Sequence, residues 1–127
     1  MRWQGQSKHH RHMCGRYTQS KSVDELMVRF GFERPAFAIR PRYNIAPSQD
    51  AAVIIRDGEH AEVVMMRWGL IPSWSKELLG DGIINARAET VAEKPSFRRS
   101  LQKRRCLVLA DGFYEWKAVS GIKRKIP

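Results

Sequence analysis

AAVIIRDGEHAEVVMMRW, residues 51–68, is the stretch on which the fold turns. Residues 51–56, AAVIIR, are apolar and rich in β-branched side chains, and read as a strand. Asp57-Gly58 is a turn signal, and residues 62–68, EVVMMRW, read as the strand coming back. The centre of the chain is therefore an antiparallel hairpin, and the rest has to cover its faces and edges.

Upstream, Ser22 to Phe30 is a helix. Ser22 can act as N-cap, and Glu25 three residues on completes a capping box. Val23, Leu26, Met27 and Phe30 share one face, and Gly31 ends the helix. Residues 34–50 read as a long connection, because Pro35, Pro41 and Pro47 each bias the preceding residue away from helix. Downstream, GLIPSWS at 69–75 is irregular. Ile83 and Ile84 suggest a short buried strand, and residues 95–103 a short helix with Pro95 in its first turn. CLVLA at 106–110 reads as a buried strand, Asp111-Gly112 as a turn, and FYEWK at 113–117 as a further strand with alternating faces. Gly121 reads as a hairpin turn whose returning strand is cut off almost at once. The pattern is α+β and β-rich, with strand edges left open, as expected of part of a larger domain.

The composition bounds the function. The chain has 127 residues, Lys+Arg 23 against Asp+Glu 13, and a formal net charge of +10. Such an excess suits a polyanionic partner, because each cation placed on a phosphate releases condensed counterions; a merely basic, soluble surface is the alternative. Cys14 and Cys106 cannot form a disulfide framework or a CxxC zinc motif, which points to a reducing interior and a cytoplasmic location, nucleoid-associated if the cell is bacterial. No apolar run is long enough for a membrane span, and no secretory signal is visible. No cofactor is called for. A monomer is expected.

Residues 1–12, MRWQGQSKHHRH, are polar and aperiodic, and Met13 follows them. They read either as a disordered extension or as a mis-called start ahead of Met13. His9, His10, His12 and Cys14 could instead hold a metal, but they lack a framework to orient them, so no metal site is expected.

MCGRY at 13–17, RYNIAPSQ at 42–49, WGLIPSW at 68–74, INARAET at 84–90 and LADGFYEW at 109–116 resemble, in order, the signature blocks of the SOS-response-associated peptidase (SRAP) family, the abasic-site processing proteins. The resemblance implies a barrel-like β core with peripheral helices, of which 13–127 would be the N-terminal part with the C-terminal half missing. It also implies a chemistry. Removal of the initiator methionine makes the cysteine residue one, and its amine and thiol condense with the ring-opened aldehyde of an abasic site in single-stranded DNA. The product is a thiazolidine DNA–protein crosslink. The family name records a presumed self-processing peptidase activity. A later histidine motif of the family has no counterpart among His9, His10, His12 and His60.

The residue types suit that reaction. An α-amine has an ordinary pKa of about 7.7–8.0, so far more of it is neutral at physiological pH than of a lysine. The neutral amine attacks the aldehyde, and a thiol on the same residue closes a five-membered ring with the advantage of a tethered nucleophile. Cys14 is the expected nucleophile, and Cys106, within CLVLA, is expected to be core. Glu115 is either a general acid–base in a partly desolvated position or a solvated strand-face carboxylate. Asn85 either orients the cysteine amine or the sugar oxygen, or forms a turn. Arg87 and Arg16 are candidate phosphate clamps, with surface ion pairs as the alternative. Asn44 and Pro47 either shape the cleft wall or serve turn chemistry. Trp74 is expected as an exposed DNA wedge and Trp68 as core. Arg98, Arg99, Lys103, Arg104 and Arg105 form a basic cluster that is either a solvated face or a DNA contact. Besides the abasic-site enzyme, a non-catalytic single-strand binder and a cysteine peptidase remain as alternatives; the peptidase lacks an identifiable histidine partner for Cys14.

Overall fold

A computed structural model describes residues 14–75 and 82–115 of the chain. The fold is α+β: the described residues form six strands and two helices, ordered β1 (Tyr17–Gln19), α1 (Val23–Phe30), β2 (Arg42–Ile45), β3 (Asp50–Asp57), β4 (His60–Arg67), α2 (Pro95–Lys103), β5 (Leu107–Val108) and β6 (Gly112–Phe113). The strands form two antiparallel three-stranded sheets, ordered β2-β1-β6 and β4-β3-β5. Among the described residues these sheets do not close into a barrel.

The central hairpin forms as its sequence demands. Asp57 pairs with His60 and Asp50 with Arg67, leaving Gly58 and Glu59 as the loop. Gly58 takes φ 59°, a left-handed conformation that glycine enters without a Cβ penalty. Strand β3 is central to its sheet and is buried on both faces, with Ala51, Val53 and Ile54 nearly inaccessible. One face packs Ile54 and Val63 against Leu26 and Phe32 from α1 and its exit, with Leu109 beside them. A second cluster joins Ala51 to Tyr17 and Ile45 of the other sheet, with Trp68 packed against it. The first cluster seats α1 on the hairpin, and the second joins the two sheets.

Helix α1 has the expected ends. The Ser22 hydroxyl accepts from the Glu25 backbone N–H, the Glu25 carboxylate accepts from the Ser22 backbone N–H at 2.9 Å, and Gly31 closes the helix at φ 67°. The Ser22 hydrogen bonds hold the Glu25 carboxyl below its usual range.

Several expectations need correction. The 34–50 connection contains β2, because Arg42–Ile45 finds an edge on β1. Ile83 and Ile84 make no strand: Ile83 forms a single bridge to Leu70, and both are half-buried. CLVLA is not a buried strand. Among the described residues only Leu107 and Val108 of this stretch pair, at the edge of their sheet, and they are 59% and 52% exposed; Leu109 alone is buried. Cys106 is accordingly exposed and is not core. Asp111-Gly112 is not a turn: Gly112 belongs to β6, which ends at Phe113, and Trp116 and Lys117 lie outside the described residues.

Asp111 instead fastens β1 to the approach of β6. Its carboxylate accepts from the Thr18 hydroxyl at 2.6 Å and from the Ser20 hydroxyl at 2.6 Å, and its own N–H donates to the Thr18 carbonyl at 2.9 Å. The Ser20 and Thr18 hydrogen bonds favour the charged form and pull the carboxyl to about 2. A carboxyl depressed in the folded state adds stability above its unfolded value, near 3.8, and loses it as pH falls toward 2. Asp111→Asn should therefore be less stable than the parent at neutral pH. That gap should narrow between about pH 4 and 2 in urea unfolding curves; a gap independent of pH would remove the carboxylate from the account. In the same assay Ser22→Ala should cost about 1 kcal/mol, and Leu109→Ala roughly 2–5 kcal/mol.

Candidate functional site

Cys14 and Arg16 stand at the head of β1, the middle strand of its sheet. Tyr17 pairs with Ile45 on one side and Phe113 on the other. The MCGRY, RYNIAP and DGFYE segments, distant in sequence, therefore meet at one sheet. Cys14 is half-buried, and its Sγ lies 3.5 Å from the Arg16 carbonyl, to which the thiol donates weakly.

Asn85 comes from a fourth segment. Its Nδ2 donates to the Cys14 carbonyl at 3.1 Å, across 71 residues of chain. The Trp68 Nε1–H donates to the Ile84 carbonyl at 3.0 Å, next to Asn85. Trp68 in turn packs on Tyr17, with ring centroids 5.3 Å apart and planes tilted by 56°. The chain of contacts runs from the core tryptophan through the Ile84–Asn85 backbone to the Cys14 peptide, so packing positions the Asn85 amide. Tyr17, buried in that cluster, has its phenol pushed up by burial, an effect that the Arg42 guanidinium partly offsets.

Arg16 is exposed and donates from Nη1 to the Asn44 side-chain oxygen at 2.9 Å, so two candidate DNA contacts are already joined. Tyr114, which the sequence reading did not single out, frames the same place. Its N–H donates to the Arg16 carbonyl at 2.9 Å and its hydroxyl to the Tyr43 carbonyl at 2.7 Å, tying β6 to β2 across β1. The only signal for it was its place in the FYEW block.

Continuing the β1–β6 register sets Glu115 opposite Gly15, one residue from Cys14. Glu115 is exposed rather than partly desolvated, and among the described residues its carboxylate makes no hydrogen bond or ion pair. Pro47 is half-buried in the β2–β3 connection, before Ser48 at φ 65°. Trp74 is 68% exposed on an irregular segment, and Trp68 is half-buried against the core. Arg87 is exposed, and its carbonyl accepts from the Thr90 N–H at 3.2 Å. The structure thus brings Cys14, Arg16, Asn44 and Asn85 into one hydrogen-bonded group and sets Glu115 beside it. No described contact joins Pro47, Trp74 or Arg87 to that group. Among the described residues no group of His, Cys, Asp or Glu could hold a metal ion, and no helix is long and apolar enough to cross a membrane. His9, His10 and His12 lie outside the described residues.

The arrangement offers a thiol at a strand head, an amide holding its peptide, a guanidinium next to it and a solvated carboxylate within one residue of register. Comparison with known proteins gives the same five blocks a family. The model of the SOS response associated peptidase (SRAP) family matches residues 13–127. Abasic site processing protein YoaM of Bacillus subtilis (strain 168) is 48% identical over 118 residues, covering 91% of this chain and 52% of the relative. YobE of the same organism is 47% identical over 118 residues. Abasic site processing protein HMCES of Mus musculus is 40% identical over 100 residues, 68% of this chain and 28% of the relative. The chain spans about half the length of the Bacillus relatives it matches. It belongs to the SOS response associated peptidase family.

Proposed function

We propose that this protein captures abasic sites in single-stranded DNA by forming a thiazolidine crosslink through Cys14. The observation that carries the proposal is the Asn85 amide bonded to the Cys14 carbonyl: a residue far along the chain holds the peptide that bears the reacting nitrogen and sulfur. The names of the relatives, all abasic site processing proteins, support the substrate class.

The reaction needs the nitrogen of residue 14 as a primary amine. Synthesis from Met13 with loss of that methionine supplies it, and the family match beginning at residue 13 favours this start. The neutral amine adds to C1 of the ring-opened deoxyribose to give a carbinolamine, which loses water to an imine. The thiol then adds across the C=N bond, its proton passing to nitrogen, and the ring closes. No oxidant is consumed, and one water leaves per crosslink.

Glu115 is the proton-transfer group in this reading. It protonates the departing hydroxyl of the carbinolamine and takes back the nitrogen's proton as the imine forms. Asn85 is a positioning residue, acting through the Cys14 peptide. Arg16, held by Asn44, and Arg87 take flanking phosphates as forked donors. Trp74 stacks against a base beside the gap, where the missing base leaves room, and Pro47 shapes the wall of the cleft. The presumed self-processing peptidase activity amounts here to exposing the Cys14 amine.

A Met13-initiated chain, mixed with an oligonucleotide carrying one abasic site, should give a heat-stable shifted band on a denaturing gel. Cys14→Ala should abolish it, and so should retention of residues 1–12. Binding without a covalent band in the Met13-initiated protein would leave a non-catalytic single-strand binder, and turnover of fluorogenic peptides would indicate a peptidase. Glu115→Gln should slow band formation by about 10²-fold or more while sparing the final yield; an unchanged rate would take Glu115 out of the mechanism. Because the reactive form is the neutral amine, the rate in the parent should climb with pH and level off above roughly pH 8.

A further inference from the structure

A cavity lies away from Cys14, where the end of α1, the α2–β5 connection and the far end of the β3–β4 hairpin meet. It is an open groove of about 630 Å³. Three cations line it, Arg56, Lys103 and Arg105, against one acid, Glu59. Those three side chains are exposed, and among the described residues none of them forms an ion pair. The groove also has an apolar side in Phe30 and Leu107, which are 38% and 59% exposed. The Arg29 guanidinium sits over the Phe30 ring, 5.8 Å from its centroid.

The groove sets three unpaired cations beside exposed aromatic and aliphatic surface. A solvated basic face needs no apolar side, and an apolar docking groove is normally poor in charge. A single-stranded polynucleotide meets both demands, with phosphates for the cations and bases for the aromatic and aliphatic surface. A duplex hides its bases and uses only the charge. The groove sits one β3 length from the Tyr17 cluster, on the order of 17 Å from Ala51 to Arg56 at ordinary strand rise, so a strand held at Cys14 would reach it only several nucleotides from the lesion.

We propose that this groove is a second binding site for single-stranded nucleic acid, gripping the strand on one side of the lesion. The abasic-site reading supplies only the position of the lesion; affinity for an undamaged strand stands without it.

The test removes the three cations together, Arg56→Gln, Lys103→Gln and Arg105→Gln, and follows a labelled undamaged oligothymidylate by fluorescence anisotropy across a salt series. Three lost single-strand phosphate contacts should make the slope of log K against log salt shallower by about 2. A charge-matched control, Lys21→Gln, Arg40→Gln and Lys94→Gln, should leave the slope close to that of the parent. An unchanged slope in the groove variant, an equal change in the control, or an equal loss of affinity for a blunt duplex of the same length would each overturn the proposal. The parent protein provides a variant-free readout: Lys103 should be protected from acetylation when the oligothymidylate is bound, and full modification in the complex would also overturn it. Covalent capture is scored separately on a denaturing gel. Cys14→Ala should lose the crosslink and keep the salt slope, whereas the groove variant should lose slope and still crosslink at saturating abasic DNA.

Discussion

Strand β1 is three residues long, and both of its edges are occupied, by β2 on one side and β6 on the other. Almost everything at the site follows from that pairing. A strand this short has too few ladder bonds to hold itself, so side chains complete the attachment. Asp111 gathers the Thr18 and Ser20 hydroxyls, and Tyr114 crosses the sheet to the Tyr43 carbonyl. Beneath the sheet, Tyr17 and Ile45 are anchored on Ala51 of the hairpin. With β1 fixed on both edges and one face, its leading residues, Cys14 to Arg16, have a defined place beside the Asn85 amide.

The parts of the fold that could be read from the sequence are those whose causes are local. The hairpin was legible from β-branched runs around Asp57-Gly58, and α1 from its cap, its stripe and its glycine stop. The parts that escaped depend on distant partners. Nothing in YTQ or RYNI alone marks a strand; each becomes one because the other is there to pair with it. CLVLA misled for the opposite reason. Its apolar residues suggest burial, yet among the described residues β5 pairs along only two residues at a sheet edge, with Leu107, Val108 and Cys106 exposed and only Leu109 in the core.

The site was legible in composition and not in geometry. Cys14, Asn85, Arg16 and Asn44 could be chosen from motif blocks, but their hydrogen bonds are products of folding. Glu115 shows the limit most plainly. Its flanking aromatics suggested partial desolvation, whereas Glu115 is exposed and Phe113, its neighbour two residues back, is itself 68% exposed, so among the described residues no apolar wall forms around the carboxylate. Tyr114 was overlooked because its contribution runs through backbone groups of two other segments, a role that residue type does not signal.

Gly112 carries a consequence for variation at this sheet. A Cβ built there would lie 2.8 Å from the Thr18 Oγ1, too close to be accommodated unless the hydroxyl swings aside. That hydroxyl is engaged by Asp111, so the movement forfeits a hydrogen bond on β1. Every missense change at codon 112 adds a Cβ, whatever else it adds, and begins with this same collision. Drift at this position is thus governed less by the chemistry of the incoming residue than by whether residue 18 has first become smaller, which makes the two codons a coupled pair with a preferred order of replacement.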